Sequence, residues 1–266
     1  MEPTVKLFSD DWQLLECVGT IIDLRLTLLE VTGYGGVIIL DRTTFHPQGG
    51  GQPCDVGRIV CGGKTFTVSA VRIDDKGVIS HIGEFDVPED EAPSFSFDVG
   101  ETANCFVEKR RRVVSTKLHS VGHLLDAALD CLGYSSKFIP GKGYHFEDSP
   151  YVEYKAAPDS SITPAELEAL PAELDSKIAE LISAAIPTEI KTASREEAAL
   201  NCRMDLSAYP ETVRVVTLAG FSIPCGGTHV ANTQELGEGW KIGKIKKKKD
   251  MFRVPYSCST LWQGGD

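Results

Sequence analysis

Two short segments, far apart in the sequence, constrain this chain more than any other feature. They are His119-Ser120-Val121-Gly122-His123 and Cys225-Gly226-Gly227-Thr228-His229. Two histidines four residues apart on an α-helix lie one above the other, because the helix repeats about every 3.6 residues. In the second segment, two glycines permit a turn that brings a sulfur and an imidazole nitrogen towards one point. The predicted metal ligands are His119, His123, Cys225 and His229, a set that suits one Zn²⁺ per chain.

The apolar residues near the first segment form their own packing face, so the two histidines are not needed to pack the predicted helix. A stripe at helical spacing is formed by Leu118, Val121, Leu125, Ala128, Leu129 and Leu132. His119 and His123 project from another face of the same helix. A lone histidine is usually a core or surface residue, but three of the chain's 6 histidines lie in these two segments. The pattern therefore predicts a metal site.

The ligand types favour a catalytic metal over a structural one. Structural zinc sites favour several thiolates at CxxC spacing, and this sequence contains no CxxC. A histidine-rich set from two distant segments is more typical of a site in a cleft. The alternative is a closed set of four protein ligands, in which the metal only stabilises the fold.

Composition indicates an ordinary globular protein. A length of 266 residues leaves room for one large domain or two small ones, and 42% of the residues are hydrophobic. The sequence has no apolar run of about 18 residues, and Met1-Glu2-Pro3-Thr4 does not begin a secretory signal. The 8 scattered cysteines are typical of reduced thiols. We therefore expect a cytoplasmic protein with no membrane partner.

The net charge of -11 argues against binding nucleic acid with the whole surface, and no DNA partner is expected. Basic residues are nevertheless concentrated in two runs, Lys109–Arg112 and Lys241–Lys249, and the second holds six lysines in nine residues. A solvated face is the simplest interpretation of such a run. Both runs adjoin the histidine segments in sequence, which favours a bound polyanion.

The order of predicted elements indicates an α+β protein in two domains, 1–94 and 95–266. Short strands broken by turn residues predict a small N-terminal β-barrel. These strands are Glu16–Leu24, Gly36–Leu40, Arg58–Val60, Thr65–Val71 and Val78–Ile82. Asp86–Ser94, with two prolines and four acidic residues, is the predicted linker. After it, helices and strands alternate.

Three elements of the second domain are predicted from local signals. A helix from roughly Ser115 to Leu132 carries the histidine pair and ends before Gly133. Thr163 caps another helix, which Pro171 is expected to divide. Trp240–Lys248 and Met251–Cys258 are expected to form a hairpin.

The loop Thr44–Gly57 contains Gly49-Gly50-Gly51 between two prolines. Three consecutive glycines suit a backbone with positive φ, or one that another molecule approaches closely. Pro47, Pro53 and Asp55 stiffen the loop, which favours a formed surface over a flexible tip. No Gly-Lys-Ser/Thr follows, so the loop is not a P-loop.

These segments together resemble a known family. His119–Ala128 and Cys225–Val230 are similar to the HxxxH and CGGTH motifs of the alanyl-tRNA synthetase editing domain. The loop Phe45–Gly57 resembles the glycine motif that precedes that domain, with His46 in place of the usual Tyr. Lys244–Lys248 and Phe252–Val254 resemble its closing hairpin. Because the chain is too short for an aminoacylation domain as well, it is identified as similar to the freestanding AlaX type.

The resemblance implies a small β-barrel followed by an α+β editing domain like that shared by threonyl- and alanyl-tRNA synthetases. It also implies a hydrolase that deacylates mischarged tRNA(Ala), chiefly Ser-tRNA(Ala) and then Gly-tRNA(Ala), at its acceptor end. The implied substrate pocket consists of Ser120, Gly226, Gly227 and Thr228, with Ser120 where many relatives have Thr. The implied tRNA-binding residues are Gly49, Gly50, Gly51, Lys109, Arg110, Arg111, Arg112, Lys244, Lys246 and Lys247.

Three residues are expected to support the site without binding the metal. Asp126 and Asp130 share the helical face of the histidine pair and are candidates to orient an imidazole, with solvent exposure as the alternative. His145 is a candidate to face the site, with a purely structural role as the alternative. The metal would either activate a water or hold the substrate's α-amino group.

Two other functions remain open at this stage. A zinc-stabilised RNA-binding module would keep the fold and the basic runs without hydrolysis. A hydrolase acting on the product of threonyl-tRNA synthetase would share the metal motifs, but the glycine loop and the CGGTH sequence speak against it.

Overall fold

The computed structural model describes residues 1–29, 33–86, 96–158, 160–202 and 204–262, without the side chains of residues 28, 29, 33 and 34. The chain forms two compact units. The first comprises Met1–Gly49 and Pro53–Val113, and the second comprises Gly50–Gln52 and Val114–Asp266. Part of the glycine loop therefore belongs to the second unit.

The first unit contains the predicted β-barrel. Its closed six-stranded sheet joins, in spatial order, Glu16–Leu29, Gly33–Leu40, Ile79–Phe85, Lys64–Ile73, Gly57–Cys61 and Thr102–Val107. The strands of the unit are β1 Val5–Lys6, β2 Glu16–Leu29, β3 Gly33–Leu40, β4 Arg42–Thr43, β5 Gly57–Cys61, β6 Lys64–Ile73, β7 Ile79–Phe85 and β8 Thr102–Val107. Alternate residues of β7 are buried, as expected for a strand with one face on a core. Ile21, Ile59 and Phe66 are among the fully buried residues of the barrel interior.

The first unit ends at Val113, after the last strand of the barrel. The predicted linker, Asp86–Ser94, lies outside the described residues except for Asp86. The unit extends to Val113, because β8 pairs with both β2 and β5 and so completes the barrel. The domain limits 1–94 and 95–266 stay a prediction.

The second unit is built on helix α1, Lys109–Cys131, which begins within the first unit. The further elements are β9 Phe138–Tyr144, β10 Tyr151–Ala156, α2 Pro164–Ser183, β11 Glu189–Ser194, α3 Arg195–Asn201, β12 Thr212–Leu218, β13 Phe221–Pro224, β14 Trp240–Ile242, β15 Lys246–Lys248 and β16 Met251–Cys258. One sheet has the order β14-β16-β10-β9 with β15 against β16, and another has the order β11-β12-β13. This mixture of helices and sheets confirms the predicted α+β class.

Helix α1 carries the predicted apolar stripe into the core of the second unit. Leu118, Val121 and Leu125 are buried in one cluster with Tyr154 and Phe252 of the first-named sheet. The helix begins six residues before the predicted Ser115, because the Glu108 carboxylate accepts hydrogen bonds from the backbone N–H groups of Arg110 and Arg111. It ends close to the predicted position, before Gly133 with φ 79°.

The expected division of α2 at Pro171 is wrong. Thr163 and Glu166 form the predicted capping box, and the helix then continues through Pro171 to Ser183. Leu170 and Leu174 are fully buried on either side of the proline. Packing of this row outweighs the missing backbone hydrogen bond.

Candidate metal centre

The structure brings the four predicted metal ligands together within the second unit. One ligand atom each from His119, His123, Cys225 and His229 lies within 4.8 Å of the other three. Helix α1 supplies two of the imidazoles, and the turn that follows β13 supplies the thiol and the third. The Sγ atom of Cys225 lies 3.5 Å from Nε2 of His119 and 3.4 Å from Nε2 of His229. Two Nε2 atoms therefore converge on the sulfur.

Gln52 of the glycine loop orients the His119 ring. Its Oε1 atom accepts a hydrogen bond from the backbone N–H of Thr228 at 3.0 Å, which fixes the orientation of the amide. The same oxygen lies 2.7 Å from Nδ1 of His119. Because that oxygen can only accept, Nδ1 carries the proton and Nε2 keeps its lone pair for a metal. Gln52 is itself fully buried.

Ser120 takes the equivalent place beside His229. Its Oγ atom lies 3.2 Å from Nδ1 of His229 and accepts a hydrogen bond from the backbone N–H of Val230 at 3.1 Å. A proton on Nδ1 directed at this hydroxyl leaves Nε2 of His229 free to bind a metal. Two of the three imidazoles thus have a polar partner on the nitrogen that faces away from the sulfur.

A hydrogen-bond network holds the second segment in place. The Gln52 amide donates to Oγ1 of Thr228 at 2.8 Å, and this hydroxyl lies 2.6 Å from Oγ1 of Thr116. The guanidinium of Arg214, on β12, donates to the carbonyl oxygens of Cys225 and Gly227 at 2.6 and 3.1 Å. These contacts fix the turn that presents the thiol.

Gly227 is required by the close approach of the turn to α1. A Cβ atom at this position would lie 2.2 Å from Cε1 of His119 and 2.6 Å from Oε1 of Gln52. Gly226, in contrast, has no heavy atom within 4 Å of such a Cβ position. The packing of His119 therefore depends on one of the two glycines.

The protonation chemistry of the cluster fits a metal ion. Burial lowers the pKa of His123 to about 3, and the nearby Arg214 charge contributes in the same direction, so this imidazole is neutral at physiological pH. Burial raises the pKa of the Cys225 thiol, against the Gly227 N–H and the Arg214 charge. Nδ1 of His123 is buried without a hydrogen-bond partner among the described residues. A neutral imidazole beside a thiol that needs a positive charge to ionise is typical of a donor set for Zn²⁺.

A cavity of about 430 Å³ adjoins the cluster. Its lining includes the candidate ligands His119, His123 and Cys225, together with Gly50 and Gly51 of the glycine loop. Apolar surface is contributed by Pro140, Val152, Met204, Phe221 and Ile223. A cavity of this size with convergent polar groups is typical of a small-molecule site.

His145 lies in this site, as one of the two alternatives considered for it from the sequence. Its ring stacks on His119 with centroids 4.7 Å apart, and its Nδ1 atom lies 2.5 Å from the hydroxyl of Tyr256. Gly51 makes room for it, since a Cβ there would lie 3.0 Å from the ring, and φ at Gly51 is +81°. Burial lowers the pKa of His145 to about 4. The residue is a neutral, buried neighbour of the candidate ligands.

Neither predicted carboxylate orients an imidazole through its described contacts. Asp126 lines the cavity and accepts a hydrogen bond from the Tyr154 hydroxyl at 2.6 Å. Asp130 lies one turn further along α1 and accepts a hydrogen bond from Ser135. Gln52 and Ser120 occupy the positions that the sequence prediction gave to these two aspartates.

The predicted substrate-pocket residues separate into two groups. Gly226 lines the cavity, whereas Ser120, Gly227 and Thr228 are not among its lining residues. Ser120 and Thr228 are fully or almost fully buried, and both hydroxyls are engaged in the contacts described above. The prediction that these two side chains face the amino acid is therefore not supported.

Arg112 is a clear correction to the predicted tRNA-binding set. Its side chain is fully buried in the first unit and pairs with the buried carboxylate of Asp55 at 2.5 Å. It also donates to the carbonyl oxygens of Trp12 and Thr44 at 2.7 and 2.5 Å. A guanidinium held in this way cannot contact a phosphate.

The other predicted tRNA-binding residues are exposed or nearly so. Lys109, Arg110, Lys244, Lys246 and Lys247 are exposed, as are Gly49 and Gly50, while Arg111 and Gly51 are partly buried. Arg111 donates to the carbonyl oxygen of Cys54 at 3.2 Å. Their role in binding tRNA stays a prediction. No helix in the described part of the chain is long and apolar enough to cross a membrane.

Three residues of the site were missed by the reasoning from sequence. Gln52 follows the three glycines directly, and this position was the signal that could have revealed it. Arg214 and Tyr154 lie on strands that carried no local signal of function. Their roles depend on contacts between distant segments.

Comparison with known proteins gives two family matches. Residues 15–111 match the model of class II (A) tRNA synthetases, and residues 213–253 match the threonyl and alanyl tRNA synthetase second additional domain. The second match contains Cys225 and His229 of the candidate metal centre. It also agrees with the predicted editing-domain fold.

Individual relatives extend the similarity over most of the chain. An alanyl-tRNA editing protein, AlaX-L, of Pyrococcus horikoshii is 29% identical over 95% of this chain and 57% of its own length. An alanine–tRNA ligase of Lachnoclostridium phytofermentans is 32% identical over 76% of this chain and 22% of its own length. One from Leptospira interrogans is 33% identical over 77% and 20%, respectively. The chain thus spans just over half of the editing protein and about a fifth of each ligase. The resemblance predicted from the sequence is confirmed: the chain is similar to an alanyl-tRNA editing protein over most of its length, and to one region of alanine–tRNA ligases.

Proposed function

We propose that this protein is a hydrolase that deacylates mischarged tRNA(Ala) in a zinc-dependent reaction. Ser-tRNA(Ala) is the proposed main substrate, and Gly-tRNA(Ala) is a further one. The observation that carries the proposal is the convergence of His119, His123, Cys225 and His229 beside a cavity lined by the glycine loop. The names of the relatives supply the substrate class. Such a substrate implies a cytoplasmic protein of translation.

The residues of the cluster have distinct parts in this proposal. His119, His123, Cys225 and His229 would hold Zn²⁺, while Gln52 and Ser120 fix two of the imidazoles. When bound, Zn²⁺ supplies a water of pKa ~7 or polarises the ester carbonyl. The apolar wall of the cavity limits the water that reaches the ester, and Gly50 and Gly51 give the acceptor end a close approach to the cluster.

The remaining basic residues are proposed to bind tRNA. Lys109, Arg110 and Arg111 form the first turn of α1, and Lys244, Lys246 and Lys247 lie at or beside β15. Phosphate contacts by such residues release counterions, so the affinity for tRNA should fall steeply with salt. A net charge of -11 restricts this attraction to the basic segments.

Small amino acids make a second, hydrolytic site useful. A pocket distinguishes two ligands that differ by one methylene by only about 1–3 kcal/mol, and an added hydroxyl is similarly hard to reject. Selection of serine over alanine at this site needs a polar group other than Ser120, which is fully buried and does not line the cavity. Rates of deacylation of Ser-tRNA(Ala) and Gly-tRNA(Ala) measure the preference between serine and glycine.

The test is deacylation of purified Ser-tRNA(Ala), Gly-tRNA(Ala) and Ala-tRNA(Ala), with Ser-tRNA(Thr) as a further substrate. Wild type is compared with a His119→Ala/His123→Ala variant at equal protein concentration. Rapid loss of Ser-tRNA(Ala), with Ala-tRNA(Ala) spared and the variant inactive, is the expected result. The proposal would be refuted if folded, zinc-loaded wild type hydrolysed none of these esters.

A zinc-stabilised RNA-binding module is the second candidate, because four protein ligands are available to close the coordination sphere. Removal of the metal with a chelator distinguishes the two functions. A structural metal should lower the melting temperature strongly when it is removed, whereas a catalytic metal should chiefly support activity. Re-addition of Zn²⁺ should restore deacylation in the second case.

A further inference from the structure

The cavity wall contains a buried carboxylate that the ligand cluster does not explain. Asp126 follows His123 by three residues on α1, and it is the only acidic residue among the described residues that line the cavity of about 430 Å³. It also borders a smaller cavity of about 80 Å³, which lies against Leu129, Phe138 and Tyr154. The side chain is only 6% exposed. A carboxylate in this position is costly unless it has a polar or cationic partner.

The protein supplies a hydrogen bond to Asp126 but no counter-ion. The Tyr154 hydroxyl donates to Oδ1 at 2.6 Å, and Tyr154 is itself only 1% exposed. In the described part of the chain, no lysine or arginine lies within ion-pair distance of Asp126. Lys142 also lines the cavity, but its side chain is exposed. Burial raises the pKa of this carboxyl group to about 7, against the hydrogen bond from Tyr154, so a cationic ligand beside it would favour the ionised form.

The other ionisable groups around the cavity do not supply a cation to Asp126. His123 belongs to the cluster of candidate metal ligands, and Nδ1 of His145 is engaged by the Tyr256 hydroxyl at 2.5 Å. Arg214 is directed at the carbonyl oxygens of the Cys225 turn. An aminoacyl ester, in contrast, carries a protonated α-amino group that needs an acceptor once it leaves water.

We propose that Asp126 is a specificity residue that binds the α-ammonium group of the aminoacyl ester. This inference rests on the proposed function. It places the amino group on a protein carboxylate rather than on the metal, and it leaves Tyr154 to hold the carboxylate in position. It also gives the site a preference for free amino esters over esters whose amino group is acylated, such as those of peptidyl-tRNA.

The experiment measures binding of two non-hydrolysable ligands to the metal-loaded protein by calorimetry. One is 3′-deoxy-3′-(L-serylamino)adenosine, which carries the free amine, and the other is its N-acetyl derivative. Wild type is compared with Asp126→Asn, which keeps the size of the side chain and an acceptor for Tyr154. Asp148→Asn is the matched control, since Asp148 also lies within reach of a tyrosine hydroxyl, at 3.3 Å from Tyr144, but is exposed and does not line the cavity.

We expect wild type and Asp148→Asn to bind the free amine about 10- to 100-fold more tightly than the N-acetyl ligand, as for a hydrogen bond between charged groups. Asp126→Asn should lose this preference and bind both ligands with the affinity that wild type has for the N-acetyl form. Equal affinities of wild type for the two ligands would overturn the proposal. So would an Asp126→Asn variant that retains the preference, or one that loses affinity for both ligands equally.

The same variants in the deacylation assay separate this inference from the proposed function. If wild type binds the free amine selectively and Asp126→Asn does not, the assignment of Asp126 holds even when no ester is hydrolysed, and the hydrolase proposal alone fails. If wild type hydrolyses Ser-tRNA(Ala) and Asp126→Asn does so with unchanged kcat/KM, the hydrolase stands and the role of Asp126 is refuted. Zinc content and melting temperature of each variant show that the metal site and the fold are intact.

Discussion

Gln52→Ala should weaken metal binding although Gln52 is not a candidate ligand. The substitution removes the acceptor of the His119 Nδ1 proton at 2.7 Å and of the Thr228 N–H at 3.0 Å. Loss of a partner that orients a metal-binding histidine typically costs 10- to 100-fold in affinity. This corresponds to about 1.4–2.8 kcal/mol. We therefore expect the dissociation constant for Zn²⁺ to rise by that factor.

The assay is a competition titration of Zn²⁺ between the protein and a chromophoric chelator. Gln48→Ala is the matched control, because Gln48 lies in the same loop but is exposed. Gln52→Glu keeps an acceptor oxygen for both N–H groups and should bind the metal at least as tightly as wild type, since carboxylate–histidine–zinc arrangements raise ligand basicity.

The order of the Zn²⁺ affinities of these variants decides whether Gln52 orients the His119 ring. A Gln52→Ala protein that is folded and binds Zn²⁺ with wild-type affinity would show that Gln52 does not orient the ligand. Equal losses in Gln52→Ala and Gln48→Ala would assign the effect to the loop as a whole. Unfolding measurements on the same proteins are needed, because each buried donor left without a partner also costs about 1–3 kcal/mol of stability.

Three further predictions follow from packing and charge. Arg112→Met should lower the free energy of unfolding, measured by urea titration, by about 3–5 kcal/mol because it leaves Asp55 buried and unpaired. Lys109→Ala, at an exposed position, should change the free energy of unfolding little. Equally small effects of the two substitutions would contradict the buried ion pair. Gly227→Ala should weaken Zn²⁺ binding in the same competition assay, because it places a Cβ atom 2.2 Å from the His119 ring. Gly226→Ala should not, since no heavy atom lies within 4 Å of a Cβ at that position. Equal Zn²⁺ affinities of the two variants would disprove the close packing at Gly227. Burial lowers the pKa of His81 from 6.5 to about 4, so between these pH values the unfolded chain binds a proton that the folded protein does not. The free energy of unfolding should therefore fall by about 3 kcal/mol as the pH drops from 6.5 to 4. His81→Gln should lack this share of the pH dependence in unfolding measurements at both pH values, and a variant with the wild-type slope would refute it.

Local patterns were enough to predict the cluster of candidate metal ligands and the elements that carry it. The spacing of His119 and His123 against the stripe that contains Leu118 and Val121 predicted both the buried face of α1 and the face that bears the ligands. The succession of short strands likewise predicted the barrel, because alternation and turn residues are properties of neighbouring positions. The pairing of Cys225 and His229 with this helix was predicted from residue types, because the two segments together offer one thiol and three imidazoles.

What could not be predicted depends on which distant segment meets which side chain. Lys109–Arg112 is a uniform basic run in sequence, yet Arg112 is fully buried because Asp55, from the glycine loop, lies against it. Periodicity placed Asp126 on the ligand face, but it could not show that Tyr154 from β10 would be its hydrogen-bond donor. Helical spacing gives the direction of a side chain, and tertiary structure decides its partner. On its cavity side, the partner of Asp126 has to come from the substrate. Because no lysine or arginine of the described chain pairs with this buried carboxylate, it favours a ligand that carries a positive charge.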